Sequence, residues 1–206
     1  MTRGGGNRYR LRIVRHCPPP AIGPRAMSAS QKPLTLDEFL AWERTQPHRY
    51  EFDGIQPIAM TGGSVAHARA ITRLTAALTT RVKPPCEAFG PALKVLPSGR
   101  TRYPDSSIVC QVPGQVLGED DDTIEPTVVL EVLSPSTALT DRRVKSIEYA
   151  GVPGILVYVI LEAARPDVTI HRRATAWEAE TISGLHAELA LPEVGMTIPL
   201  TAIYRR

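Results

Sequence analysis

Residues 127–133 read Thr-Val-Val-Leu-Glu-Val-Leu, a continuous apolar run of strand length, rich in β-branched side chains and closed by Ser134-Pro135-Ser136. Such a run reads as a strand covered on both faces, and therefore as a central one. Its single charged residue, Glu131, then lies where an isolated carboxylate is strongly disfavoured unless it is protonated, ion-paired or bound to a metal. A fold built around this strand must answer that charge.

A second acid stands upstream. In the stretch from Arg102 to Cys110, Asp105 follows Pro104 and opens another apolar run. Two acids on adjoining strands, one just after a proline and one inside a hydrophobic strand, can converge on one point. Hard divalent cations favour such oxygen ligands, and Mg²⁺ keeps several waters besides one or two carboxylates. Mg²⁺ is the expected ion.

The rest of the chain fills in around these strands. Residues 1–26 hold Gly4-Gly5-Gly6, Pro18-Pro19-Pro20 and six arginines, with no acid and no sustained periodicity. That composition belongs to a segment disordered in isolation. A basic arm on phosphate, a misplaced translation start and a partly docked tail all fit it. We expect the misplaced start, with Met27 as the true one and a single domain over 27–206. Thr35-Leu36-Asp37-Glu38 is a capping box that opens a helix reaching about Arg44. Asp53-Gly54 between apolar residues marks a hairpin, with Glu51 on the strand before the turn. Ser64 is the expected N-cap of a helix in which Ile71, Leu74, Leu78 and Val82 recur at three- and four-residue steps, with His67 near its start.

Strands are expected over 87–96 and 101–110, followed by a solvated acidic loop over 111–125 that lacks the spacing of a calcium loop. Arg100 and Arg102 give the approach to Asp105 its basic character. Residues 139–150 read as a helix with Val144, Ile147 and Tyr149 on the packed side and Asp141 and Lys145 at i, i+4, an ion-pair spacing. Gly151-Val152-Pro153-Gly154 ends it. Residues 155–161 form another fully apolar strand, so the expected class is α/β, a mixed β-sheet flanked by helices. A terminal hairpin over 167–173 and 176–182, a strand near 186–191 and a last helical turn within 197–204 complete the order.

Charge and cysteine content bound the function. The formal charge of +3 comes from the tail: without its six arginines, 18 basic residues face 21 acids, a balance of −3. No global electrostatic argument for DNA binding survives, and affinity must come from local cations and metal-bridged phosphates. Cys17, Cys86 and Cys110 are odd in number and widely spaced, which argues against a disulfide framework or a zinc site and for a reducing cytosol. No apolar run approaches the ~20 residues that span a bilayer, so no membrane partner is expected.

Pro104-Asp105, then Glu131 in a strand, then a lysine is similar to the PD-(D/E)XK nuclease superfamily. More narrowly, Glu131-Val132-Leu133-Ser134-Pro135-Ser136-Thr137 with Asp141, Lys145, Tyr149 and Gly151-Val152-Pro153 resembles the Uma-two family of restriction endonucleases, from about Leu34 to the C-terminus. The resemblance implies a restriction-endonuclease-like fold with an N-terminal helix and hairpin, and a Mg²⁺-dependent endonuclease that hydrolyses DNA phosphodiester bonds as a homodimer, which the cysteine pattern would place in the cytoplasm. In the usual superfamily pattern the lysine stands two residues after the acid, on the same strand face. Here that position is Leu133, and the family resemblance implies Lys145 from the following helix instead. It further implies that Asp105 and Glu131 hold Mg²⁺, with Mn²⁺ able to substitute and the carbonyl of Val132 or Leu133 as an extra ligand. Lys145 and Glu51 are the further catalytic residues, and His67 and Arg102 the expected substrate contacts. Each has a plainer alternative: Glu51 a solvent-facing strand residue, His67 a packed bystander, Arg102 a strand-edge charge, Asp141 a surface partner of Lys145. The plainer alternative for Glu131 is half of a buried salt bridge in a catalytically silent module for DNA binding or regulation.

Overall fold

The capping box at Thr35 forms as its spacing predicts: the Glu38 backbone N–H donates to Thr35 Oγ1, and Glu38 Oε2 accepts from the Thr35 backbone, starting helix α1 (Leu36–Glu43). A hairpin of β1 (Tyr50–Phe52) and β2 (Pro57–Ala59) follows. Asp53 Oδ1 accepts from the N–H groups of Ile55 and Gln56, and Gly54 takes the positive φ of 93° that the turn requires. The computed structural model describes residues 32–60, 62–111, 117–118, 122–134 and 138–205. The tail over 1–26, much of the acidic loop and the turn at 135–137 lie outside the described residues. Pro33–Arg206 forms one densely connected unit.

Six strands make the main sheet, in the order β3 (Cys86–Phe89), β4 (Ser106–Cys110), β5 (Val128–Leu133), β6 (Val157–Glu162), β7 (Asp167–Arg172) and β8 (Ala179–Ser183). Only β5 and β6 run parallel, and every other neighbouring pair is antiparallel. The sheet is therefore mixed, with β5 buried at all six positions. Strands β3 and β4 are shorter than their apolar runs suggest. Pro91 and Pro104, which lack a ladder N–H, interrupt them, and Val95 and Arg102 meet only in an isolated bridge. The hairpin of β7 and β8 extends the main sheet. A separate C-terminal hairpin pairs β9 (Glu188–Leu191) with β10 (Met196–Pro199), where part of a helical turn was expected, before the short α4 (Thr201–Tyr204).

Alternation along β5 sorts its side chains to two cores. Val128, Leu130 and Val132 join Leu74 and Leu78 of helix α2 (Val65–Thr79), together with β9, β10 and α4. Val129 and Leu133 join Tyr149, Tyr158 and Ile160 on the opposite face. Glu131 points to that second side, by the same period of two.

The cysteine expectation fails. Cys86 and Cys110 stand opposite each other in the β3–β4 ladder and form a disulfide. Their separation of 24 residues hides a direct cross-strand register, which no local spacing reveals. Disulfides persist in oxidising compartments, so the argument from unpaired thiols to a reducing cytosol loses its basis. Among the described residues, no helix is long and apolar enough to cross a membrane.

Candidate active site

Where β5 ends, a cavity of about 130 Å³ is lined by the carboxylates of Glu51, Asp105, Glu131 and Asp141, together with His67 and Lys145. These six residues come from five places: strand β1, helix α2, the turn before β4, strand β5 and the segment after β5. That last segment is a π-helical turn, Thr140–Lys145, continued by α3 (Ser146–Ala150). A π turn closes i→i+5 rather than i→i+4 hydrogen bonds, which puts more residues in the turn and rotates the side chains that follow, and such turns are frequent at functional sites. Here it accompanies a partial inversion of the expected face. Tyr149 is buried as expected, but Asp141, Lys145 and Glu148 are buried with it while Val144 and Ile147 are exposed, Ile147 at 75%.

Lys145 is the hub of the cluster. Its Nζ donates to Glu131 Oε1 at 2.8 Å and lies 3.2 Å from Glu51 Oε1 and 3.1 Å from Asp141 Oδ1. The Asp141 contact is ionic: Oδ1 is off the line of a hydrogen bond and is otherwise buried without one. Tyr149 donates its hydroxyl to Glu131 Oε1 at 3.3 Å, and Tyr158 donates to the Asp141 carbonyl at 3.0 Å. Asp141 is therefore no surface partner but part of the buried cage around the ammonium.

Asp105 occupies the other wall. Its Oδ2 accepts the backbone N–H of Val132 at 2.8 Å, which ties the turn before β4 to the end of β5. His67 Nε2 lies 2.8 Å from the Val132 carbonyl and 3.5 Å from Asp105 Oδ2, so these two oxygens approach one point. The Asp105 carboxylate, chiefly by that contact, and the Val132 carbonyl raise the imidazole's pKa above its ordinary value against partial burial. Helix α2, capped by Ser64 as predicted, sets the ring there.

Arg102 departs from the substrate-contact expectation. It is 2% exposed, and its guanidinium donates through Nε and Nη2 to both oxygens of Glu148 at 2.8 Å, with Nη1 3.3 Å from Glu51 Oε2. A planar fork satisfied this way lies behind the cavity wall and fixes Glu51 from the rear. Glu148 was not legible as a site residue. It lies 46 residues from Arg102, and on the helix it resembles any charged position facing water.

The electrostatics follow from too few cations. Burial raises the Glu131 carboxyl, to about 8, against the pull of Lys145 and with the help of Asp105, Asp141 and Glu51. Burial opposes the charge on Lys145, but Glu131, Glu51 and Asp141 outweigh it and hold its pKa well above the usual value. One ammonium lies within 3.2 Å of three carboxylates, so it stays charged while the acids compete for it. The cavity retains an excess of negative charge, and its oxygen donors suit a hard cation. Among the described residues, no three His, Cys, Asp or Glu side chains are grouped to hold an ion unaided. Two carboxylates and the Val132 carbonyl fit Mg²⁺ as a site completed by water or substrate oxygen.

Comparison with known proteins follows the same outline. A family described as "Putative restriction endonuclease" matches residues 36–201. The uncharacterized protein slr1290 of Synechocystis sp. is 28% identical over 182 residues, covering 86% of this chain and 95% of its own. A crystal structure from Anabaena variabilis, described as a putative nuclease belonging to DUF820, superposes with a TM-score of 0.69 at 20% identity, covering 84% of this chain and 98% of that one.

Proposed function

The chain belongs to the Uma2 family and has a restriction-endonuclease-like fold; from that premise we propose that it is a Mg²⁺-dependent endonuclease that hydrolyses DNA phosphodiester bonds. The observation that carries the reading is Lys145. Its ammonium is brought 14 residues along the chain to 2.8 Å from Glu131, in a cavity shared with Asp105 and overloaded with carboxylates.

Asp105, Glu131 and the Val132 carbonyl would hold the ion. When bound, Mg²⁺ supplies charge neutralisation at the scissile phosphate and eases the ionisation of a water. Lys145, fixed by Glu131, Glu51 and Asp141, orients the attacking water and offsets charge growing on the phosphate. Glu51, braced by Arg102 and the Tyr103 N–H, keeps the ammonium aimed into the cavity. Tyr149 holds the Oε1 atom of Glu131 toward Lys145, and His67 supports the Asp105 wall. Homodimer formation, which would place two such cavities on the two strands of a duplex, belongs to this reading.

The test is purified protein with supercoiled plasmid in Mg²⁺ or Mn²⁺, beside Asp105→Asn and Glu131→Gln. Both substitutions keep side-chain volume and are expected to lower the cleavage rate at least about 100-fold. Cleavage unchanged in both overturns the assignment.

One observation favours a second reading, a catalytically silent module for DNA binding or regulation: Lys145 is only 4% exposed and already saturated by acids. Calorimetry separates the two. Mn²⁺ binding that disappears in Asp105→Asn supports the enzyme, and DNA binding without any metal uptake in its presence supports the module.

A further inference from the structure

A second cavity, of about 120 Å³, lies on the flank of α2, with Ala66, Arg69, Ala70 and Arg73 along one stripe of the helix and Ala163, Ala164 and Tyr204 opposite. The stripe follows the i, i+3, i+4, i+7 rule. It alternates cations with residues that have no side chain beyond Cβ, so a group entering the cavity meets two guanidinium groups over a floor of methyls.

Both arginines keep their charge available. Arg69 is exposed and has no acid or hydrogen-bond partner among the described residues. Arg73 donates to the main-chain carbonyls of Ile203 and Arg205, which hold the guanidinium in place without neutralising it. The nearby acid, Glu162, is turned elsewhere: its carboxylate pairs with Arg142 at 2.5 Å and Arg165 at 3.7 Å, and its carbonyl takes the Tyr204 hydroxyl. Two unneutralised cations around one small cavity, in a domain whose balance is otherwise acidic, favour an anion.

Its place in the fold selects which anion. Leu133 of β5 pairs in register with Glu162 of β6, and Ala163 and Ala164 directly follow that glutamate. Val132 and Ser134, on either side of Leu133, line the catalytic cavity. The two cavities thus lie at the same end of the sheet, lined from the neighbouring strand ends of β5 and β6. Helix α2 joins them, since His67 faces the first and Ala66 the second.

We infer that the Arg69–Arg73 cavity is a backbone-phosphate subsite, which grips the phosphodiester neighbouring the one placed at Asp105 and Glu131. The inference rests on the nuclease reading for its substrate but not for its measurement. Phosphate contacts fix the register of a strand on a protein and carry no base preference, so this subsite positions the scissile bond for any sequence.

The experiment is fluorescence anisotropy of a labelled oligonucleotide, double- and single-stranded, without divalent metal and at several salt concentrations. Wild type is compared with Arg69→Ala, Arg69→Glu and, as a control, Lys83→Ala beyond the far end of α2. Arg69 touches nothing that folding needs, so its variants remain folded, which circular dichroism checks. Arg69→Ala is expected to weaken binding several-fold and reduce the salt slope by about 1. Arg69→Glu is expected to weaken binding more than about 10-fold, and the control to change neither. Equal affinity and slope in all four proteins overturns the subsite, as does a wild type that binds no oligonucleotide. Binding of inorganic phosphate that Arg69→Ala abolishes, while oligonucleotide affinity and salt slope stay unchanged in the same variant, would assign the cavity to a free anion and also overturn it. Plasmid cleavage in Mg²⁺ is read separately: Arg69-dependent binding without cleavage sinks the hydrolase and leaves the subsite, whereas cleavage indifferent to Arg69 does the reverse.

Discussion

Helix α2 and the helical segment over 140–150 pack on opposite faces of the same strand, yet they obey opposite rules. Helix α2 is conventionally amphipathic. Ala70, Leu74, Ala77 and Leu78 face Leu130 and Val132, and Arg69, Thr72 and Thr79 face outward. The second segment turns Asp141, Lys145 and Glu148 inward and leaves Leu139, Val144 and Ile147 exposed. The difference traces to one residue of alternation on β5. Where the strand shows Leu130, hydrocarbon is buried against it, and where it shows Glu131, the neighbour must bring a cation and further polar partners. A buried charge thus reverses the polarity of whatever packs upon it.

That contrast can be broken by substitution. The largest effect is expected from Lys145→Met, which removes the ammonium that three carboxylates share. Urea unfolding at pH 8 should show a loss of about 3–5 kcal/mol. The loss should shrink toward pH 5, because Glu131, whose carboxyl is already raised, can then take up a proton. A pH-independent loss would mean that packing, not charge, is what the lysine supplies.

On the other face, Leu74→Ala deletes a fully buried side chain and is expected to destabilise by about 2–5 kcal/mol at any pH. Pairing it with Ile147→Ala tests the inversion directly. Ile147 is 75% exposed, and its truncation should stay within about 0.5 kcal/mol of wild type. Comparable losses for the two would place Ile147 in an interface and undo the comparison.

Between these lies Glu131→Gln, where the sign is reversed. The folded-state pKa of Glu131, about 8, stands above the ordinary 4.5. The unfolded chain therefore releases its proton first, and the native state loses stability as pH rises from the lower value through the higher one. The amide removes that loss and leaves Lys145 with Glu51 and Asp141. Without divalent metal, the melting temperature of the variant relative to wild type should increase between pH 5 and pH 8. A difference that stays flat over that range would show Glu131 to be ionised throughout.

The elements that the chain announces locally are the ones that formed as expected. The capping box at Thr35, the Asp53-Gly54 turn, the Ser64 cap and the apolar runs of β5 and β6 each depend on neighbours within a few residues. The disulfide, the shortening of β3 and β4, and the face of the 140–150 segment were misread for the opposite reason. Val144 and Ile147 look like a buried stripe until one knows that the surface opposite carries a carboxylate. Arg102 looks like a basic approach to Asp105 until Glu148 arrives from another element to close its fork.

The amino-acid sequence by itself therefore determined the central strand, the acid inside it and the requirement that something neutralise that acid, because burial and backbone pairing follow from the period and composition of a short run. Only the tertiary structure decided what the neutralising group is and what shares it. Lys145 and Tyr149 meet at Glu131, and Glu51 and Asp141 share the Lys145 ammonium, through contacts as short as 2.8 Å, and such contacts depend on strand register, a π turn and helix placement that no spacing along the chain specifies.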